Sequence, residues 1–255
     1  MVKAAGMQNK GPGDRRPVVA NHIEWMDAHA GETRDYFDGM APRWSEKYEY
    51  EAFRRRLNVF LRPLAEVIPP GSRVLDFGCG SGELALALSD SGYRVIGLES
   101  SAAMHSCSSK ALQGRDAVML RVDSGSWSPI ELPDGACDAI VSSSVLEYIA
   151  NIEAQLSEFR RVVKPGGVII VTVPNADSGV RKIERLLQVV LRALHLGRVI
   201  NLLPHRIASY LNYILLSINR WNLSEWQRLL ASAGFELTET AFHDKPLARI
   251  SARRT

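Results

Sequence analysis

The chain has little cysteine: three in 255 residues, Cys79, Cys107 and Cys137. They are widely spaced, odd in number and form no Cys-x-x-Cys pair. A disulfide framework and a zinc site are therefore not expected, and a reducing cytoplasm fits. Any uninterrupted apolar run of about 18 residues is also missing, so no transmembrane helix is expected. Charge of one sign is not in excess. A net charge of +3 does not suit a general nucleic-acid binder, which carries a strongly basic face. The start, residues 1–20, lacks the apolar core of a signal peptide and reads as a flexible tail. No internal repeat is visible. The length suits one large α/β domain with a real core.

What is present centres on one stretch. The strand-like run Val74-Leu75-Asp76-Phe77 ends in Gly78-Cys79-Gly80-Ser81-Gly82, and a helix-like pattern follows through Leu84 and Leu88 to Gly92. Glycine suits a tight turn, a positive φ or a backbone pressed by a ligand. The free amides at a helix start can hold a polar ligand. This is the first βα unit of a nucleotide-type site on a doubly wound sheet. The dinucleotide fingerprint Gly-x-Gly-x-x-Gly would need its third glycine at Glu83. The spacing found, Asp76-x-Gly78-x-Gly80-x-Gly82, resembles motif I of the class I S-adenosylmethionine (SAM)-dependent methyltransferases. The resemblance implies a turn at Gly78, Cys79 and Gly80 bent around the methionine end of SAM, with Asp76 receiving its amino group. Cys79 reads as a small residue tolerated by the turn. A glycine turn with no ligand is the alternative.

Further motifs follow in the family's order. Tyr36-Phe37-Asp38-Gly39-Met40-Ala41-Pro42-Arg43-Trp44, with Tyr48 and Tyr50, resembles the N-terminal segment of small-molecule methyltransferases, whose helices close over SAM. Aromatic faces such as Tyr36 and Trp44 suit a sulfonium cation, and ordinary packing on the sheet is the alternative. A second helix, Glu51 to Val67, stops at Pro69-Pro70-Gly71. Strand two, Arg94 to Glu99, ends in an acid able to accept both ribose hydroxyls, with Ser100 beside it. Ser100 or Ser101 caps the next helix. Strand three, Ala117 to Val122, leads to Asp123 and Ser124, which the resemblance implies meet the adenine amino group. Trp127 covers the adenine or packs beneath the loop.

Strand four, Asp138 to Ser143, brings Ser142 and Ser143 beside the expected cofactor. Ser144-Val145-Leu146-Glu147-Tyr148-Ile149 resembles the family's Leu-Glu-His-Val motif, with two departures. Cys137 replaces an aromatic, and Tyr148 replaces the histidine. With an ordinary pKa of about 10, a tyrosine orients an acceptor more readily than it deprotonates one. No Asn-Pro-Pro-Tyr or Asp-Pro-Pro-Tyr run occurs, so amino-methylation of adenine or glutamine loses support. A helix with Ile152, Leu156, Phe159 and Val163 on one face leads to the family-like turn Lys164-Pro165-Gly166-Gly167 and strand five, Val168 to Val173.

Residues 176–220 are an insert. Ile183, Leu186, Leu187, Val190, Leu191 and Leu194 make an apolar stripe at helical spacing, with Arg181, Lys182, Arg185, Arg192 and Arg198 as a basic complement. Three readings stand: a substrate lid, a membrane-surface helix over 181–220, or an apolar face packed on the domain with a solvated basic face. At the end, Ser224 is the expected cap of a helix, Ala233-Gly234-Phe235 opens strand six, and a last strand within Leu247 to Ala252 enters antiparallel between strands five and six.

The expected fold is a doubly wound, mostly parallel seven-stranded α/β sheet with helices on both faces. It divides into a tail (1–20), a helical cap (21–70), a SAM-binding core (71–175), a helical lid (176–220) and a C-terminal completion (221–255). The expected function is SAM-dependent methylation of a small-molecule acceptor on O or N, with a likeness to the ubiquinone and menaquinone methyltransferases. His205 and Tyr148 are the candidate bases, with a lid-packing or helix-end role as the alternative for His205. No metal and no nucleic-acid partner are expected. An NAD-dependent oxidoreductase and a non-catalytic SAM-fold binding protein are the alternatives.

Overall fold

Strands β1 (Arg73–Phe77), β2 (Arg94–Glu99) and β4 (Cys137–Ser143) are buried along almost their whole length. Strands of that kind are apolar on both sides and need helices over each face. With β3 (Ala117–Arg121), β5 (Val163–Pro174), β6 (Phe235–Ala241) and β7 (Leu247–Arg254) they form one sheet in the order β3-β2-β1-β4-β5-β7-β6. The first five strands pair in parallel, and β7 runs antiparallel between β5 and β6, as expected. This computed structural model describes residues 16–44, 46, 51–122, 129–194, 197–200, 202–241 and 245–255. Tyr48, Tyr50, Asp123, Ser124 and Trp127 lie outside the described residues, as does the side chain of Arg198.

Two cores flank the sheet. On one face α2 (Glu51–Val67) and α3 (Glu83–Asp90) bring Phe60, Leu64, Leu84 and Leu88 to Val74, Val95 and Val141. On the other, α5 (Ile152–Val162) and α9 (Leu223–Ser232) bring Leu156, Phe159, Trp226 and Leu230 to Phe77, Ile140 and Val171. The rings of Phe77 and Phe159 meet edge to face at 4.8 Å. Burying a side chain such as Phe159 contributes about 3 kcal/mol. α4 (Ala102–Ala111) flanks β2 and β3, while α1 (Arg16–Met40) crosses α4. The insert after β5 forms α6 (Gly179–Ala193), α7 (Gly197–Ile200) and α8 (His205–Leu216). No helix of the described residues is long and apolar enough to cross a membrane.

Local readings change in four places. α1 begins at Arg16, inside the stretch read as a tail. The residues Lys164–Gly167 are an excursion within β5 instead of a turn before it. Cys137 pairs with Val163 and Ala139 already pairs with Val168, so four residues oppose Asp138 alone. Lys164 Nζ donates to Asp138 Oδ1 at 2.5 Å across that bulge. Asn222, not Ser224, caps α9: its side chain accepts from the Glu225 amide at 2.9 Å while Glu225 accepts from the Asn222 amide at 2.8 Å. That reciprocal box satisfies two amides, where a lone serine cap would satisfy one. The cap of α4 is Ser101, which accepts from the Met104 amide at 3.1 Å.

The fourth change concerns α6. Ile183, Leu186, Val190 and Leu194 are exposed, and Arg181, Glu184 and Gln188 are buried with Leu191. The reading in which the apolar stripe packs on the domain is therefore reversed. Inward-facing polar groups all find partners: Gln188 Nε2 donates to the carbonyls of Ile214 at 2.5 Å and Ser217 at 3.0 Å, and Arg181 Nε donates to that of Pro246 at 3.0 Å. Buried polar groups matched in this way fix which side of the helix faces in.

Candidate active site

Strand order reverses beside β1, and the carboxyl ends of strands at such a point are where this architecture binds ligands. A cavity of about 420 Å³ lies there, within the range of small-molecule sites. One end is built by the glycine turn. Gly78 has φ +72°, and a Cβ there would lie 2.4 Å from Val145 Cγ2, so only glycine fits. Gly80 has φ +57°, and its amide donates to Glu99 Oε2 at 2.8 Å. Glu99 Oε1 accepts from the amides of Ser100 at 2.8 Å and Ser101 at 2.9 Å. Burial raises the Glu99 pKa, and these three amides oppose the rise.

Asp76 stands beside them, buried, with Oδ2 lacking any partner. Burial, then the charges of Glu99 and Glu83, push its pKa up to about 8, against a hydrogen bond from the Ala85 backbone. Cys79 lines the same end, and burial pushes its thiol well up, so it stays protonated and is no nucleophile. Ser100 and Ser143 also line the cavity. Ser142 does not: its hydroxyl is buried in the sheet and donates to the Phe77 carbonyl at 3.1 Å.

From above, α1 and the turn after it contribute Tyr36, Phe37 and Trp44. Phe37 meets the rings of Tyr36, Trp44 and Tyr148 edge-on at 5.1, 5.7 and 5.4 Å. Asp38 anchors this cover by accepting from Ser101 Oγ at 2.5 Å and from the Ala103 amide at 3.0 Å. The Tyr36 hydroxyl donates to the Ser209 carbonyl at 3.2 Å, tying α1 to α8.

The far end is charged. Glu147 is 1% exposed, and its Oε2 has no partner. Burial pushes its pKa up to about 7, opposed by its own backbone and by Arg181, Arg56 and Arg220. Tyr148 is pushed well above its ordinary value by burial and then by Glu147. Ser144 has φ +58°, the one positive φ outside glycine among the described residues, and accepts from Arg56 Nη2 at 3.0 Å. Backbone strain of this kind gathers at functional sites. At the wall, Arg181 and Arg220 both donate to Glu184 Oε2 at 2.6 Å, and Tyr210 donates to Glu184 Oε1 at 2.7 Å. Burial would raise the Glu184 pKa, but these three donors hold it below the ordinary carboxylate range. Both guanidinium groups lie 5.4 Å from the Tyr213 ring centroid.

Of the sequence candidates, Tyr36, Trp44, Asp76, Gly78, Cys79, Gly80, Glu99, Ser100, Ser143 and Tyr148 come together around this cavity. His205 does not. It is exposed at the start of α8 and lines a separate outer hollow with Glu32, Asp35 and Asn212. Sequence reasoning missed Arg56, Ser144, Glu147 and Arg181. Glu147 stood in the motif beside Tyr148, but its burial was not visible there.

Known proteins resemble this chain in sequence and in fold. A family profile described as "Methyltransferase domain" matches residues 46–240. A protein of Mycolicibacterium smegmatis named "Probable S-adenosylmethionine-dependent methyltransferase" is 30% identical over 187 residues, covering 72% of this chain and 60% of that protein. A malonyl-[acyl-carrier protein] O-methyltransferase of Serratia marcescens is 31% identical over 109 residues, covering 43% of this chain and 41% of that protein. The matches span only 32 to 60% of the length of the first curated relatives. The structure of a SAM-dependent methyltransferase from Aquifex aeolicus superposes with a TM-score of 0.56 at 18% identity, covering 82% of this chain and 96% of that one. At that identity the likeness speaks for the fold.

Proposed function

The chain belongs to the SAM-dependent methyltransferases, and from that premise we propose that it methylates the oxygen or nitrogen of a bulky, partly apolar small molecule. The cofactor is SAM, which when bound supplies an electrophilic methyl group on a sulfonium centre. The residues present fit it. Asp76 holds a buried, unpartnered oxygen where an ammonium group would be received. Glu99 is held by three amides: Oε1 already accepts from two, and Oε2, which accepts from one, keeps a lone pair for a ribose hydroxyl. Gly78, Cys79, Gly80, Ser100 and Ser143 would line the ligand, with Tyr36 and Trp44 over the sulfonium and Asp123 and Ser124 at the adenine. Residues 71–175 are assigned to cofactor binding and 176–220 to the acceptor.

The remaining work belongs to the acceptor end. It must align the nucleophile and exclude water. An alcohol or ammonium acceptor must also lose a proton, and Glu147 takes it at Oε2. Tyr148, whose hydroxyl stays protonated, orients the acceptor, and Arg181 and Arg206 on the cavity wall favour one bearing an anionic or strongly polar group. The observation that carries this reading is the pair of unpartnered buried carboxylate oxygens, on Asp76 and Glu147, lining one cavity. Calorimetry with SAM and with NAD, followed by transfer of tritiated methyl from SAM into small-molecule fractions, tests it. SAM binding and a labelled small-molecule product are expected. NAD binding would overturn the cofactor assignment. SAM binding without transfer across a broad acceptor panel would leave a SAM-fold binding protein.

A further inference from the structure

The outward surface of the insert combines two features. On α6, at roughly 100° per residue, Val180, Ile183, Leu186, Val190 and Leu194 fall within one arc. Ile183, Leu186 and Leu194 are 71, 68 and 61% exposed. Leu202, Leu203 and Ile207 are also exposed, but the hollow beside Leu203 is lined by the exposed acids Glu32 and Asp35, so the acid-free apolar face is that of α6. Isolated exposed leucines need no explanation, but a contiguous apolar patch on a folded domain marks an interaction surface.

The second feature is charge. Lys182 and Arg185 stand exposed on one flank of α6, and Arg192, on the same side, donates to the Leu215 carbonyl at 3.0 Å. Glu184, the only acid of that helix, is buried in its ion pairs with Arg181 and Arg220. From Arg185 to Ser224 the chain contains no acidic residue. An apolar arc with a basic flank and no acid is the pattern of a helix lying in the surface of a bilayer, where the apolar side enters the acyl boundary and the cations meet phosphate head groups. The orientation is enforced from inside, because rolling α6 over would strip Arg181, Glu184 and Gln188 of their buried partners.

We propose that this outward face of α6 is a docking surface for an anionic lipid bilayer. It needs no spanning helix and does not depend on which acceptor is methylated. The same helix reaches the cavity: Arg181, on the inward side of α6, is among its lining residues.

The test is flotation of the purified full chain, without SAM or acceptor, with vesicles of phosphatidylcholine and phosphatidylglycerol or of phosphatidylcholine alone. Binding to the mixed vesicles only, weakened by salt, is expected. Neutralising both basic residues, Lys182→Gln with Arg185→Gln, should weaken it about fivefold per charge removed, roughly 25-fold for the pair. The double substitution Ile183→Ser and Leu186→Ser should abolish it. Unchanged SAM binding by calorimetry shows that each variant is folded. Absence of flotation with mixed vesicles, or equal flotation with neutral ones, would overturn the proposal. So would a dimer in sedimentation that the Ile183→Ser, Leu186→Ser variant dissolves, which would assign the face to a second copy of the chain. Loss of methyl transfer with flotation intact would bear on the proposed chemistry alone.

Discussion

The Gly80 amide donates to Glu99 Oε2 at 2.8 Å, so the turn after β1 and the tip of β2 hold each other in place. The carboxylate is thereby aimed before any ligand arrives, and its two backbone donors at Ser100 and Ser101 fix the other oxygen.

Glu99→Gln breaks this arrangement, because one amide donor then faces an NH₂ group. A hydrogen bond to a charged group is worth about 1.5–3 kcal/mol, so SAM affinity is expected to fall roughly 10- to 100-fold. Calorimetry measures it, and an unchanged affinity would remove Glu99 from the cofactor site.

Asp76 ties cofactor binding to protons. With its pKa at about 8, the free protein holds a proton there at pH 7. Binding an ammonium group favours the ionised form, so SAM binding at pH 7 should release a proton, seen as a dependence of calorimetric heat on buffer. Asp76→Asn should abolish the release. An acid whose pKa rises on folding gives stability that is full below its unfolded value and declines as pH rises from about 4 to 8. Asp76→Asn should therefore melt higher than the parent at pH 8 while binding SAM less tightly.

Glu147 should set the acidic limb of activity. As a base it works only when ionised, so the rate should rise with pH through about 7. Glu147→Gln should lose about 10²- to 10⁴-fold in kcat and lose that limb. A limb that persists in the variant would place the base elsewhere.

Glu184→Ala leaves Arg181 and Arg220 buried without their shared carboxylate. Breaking a buried pair from one side costs about 3–5 kcal/mol, and thermal or denaturant unfolding should record it. The unpaired guanidinium groups should also favour ionised Glu147, moving the activity limb below that of the parent.

The glycine-turn end of the cavity was legible because its parts are local. Asp76, Gly78 and Glu99 sit at the ends of apolar runs whose order alone places them side by side in a doubly wound sheet. The charged far end was not. Arg56 comes from α2, Glu147 from the turn after β4 and Arg181 from the insert, and no sequence period relates them. Ser142 and Ser143 show the limit of a strand reading: alternation puts one hydroxyl in the sheet and its neighbour in the cavity, and only the register decides which. On α6 the period found the apolar stripe correctly. Its direction depended on the partners of Arg181, Glu184 and Gln188, which lie far away in the chain.

The amides of Ile218 and Asn219 donate to the Glu147 carbonyl at 2.8 and 3.0 Å, and Asn219 Nδ2 reaches the carbonyls of Leu146 and Ile149 at 2.8 and 2.7 Å. The last residues of the insert thus serve as the splint of the turn that carries Glu147. For anyone exchanging the insert to change the acceptor, the natural seam lies before Ile218. A graft that replaced 218–220 as well would swap out part of the support beneath Glu147.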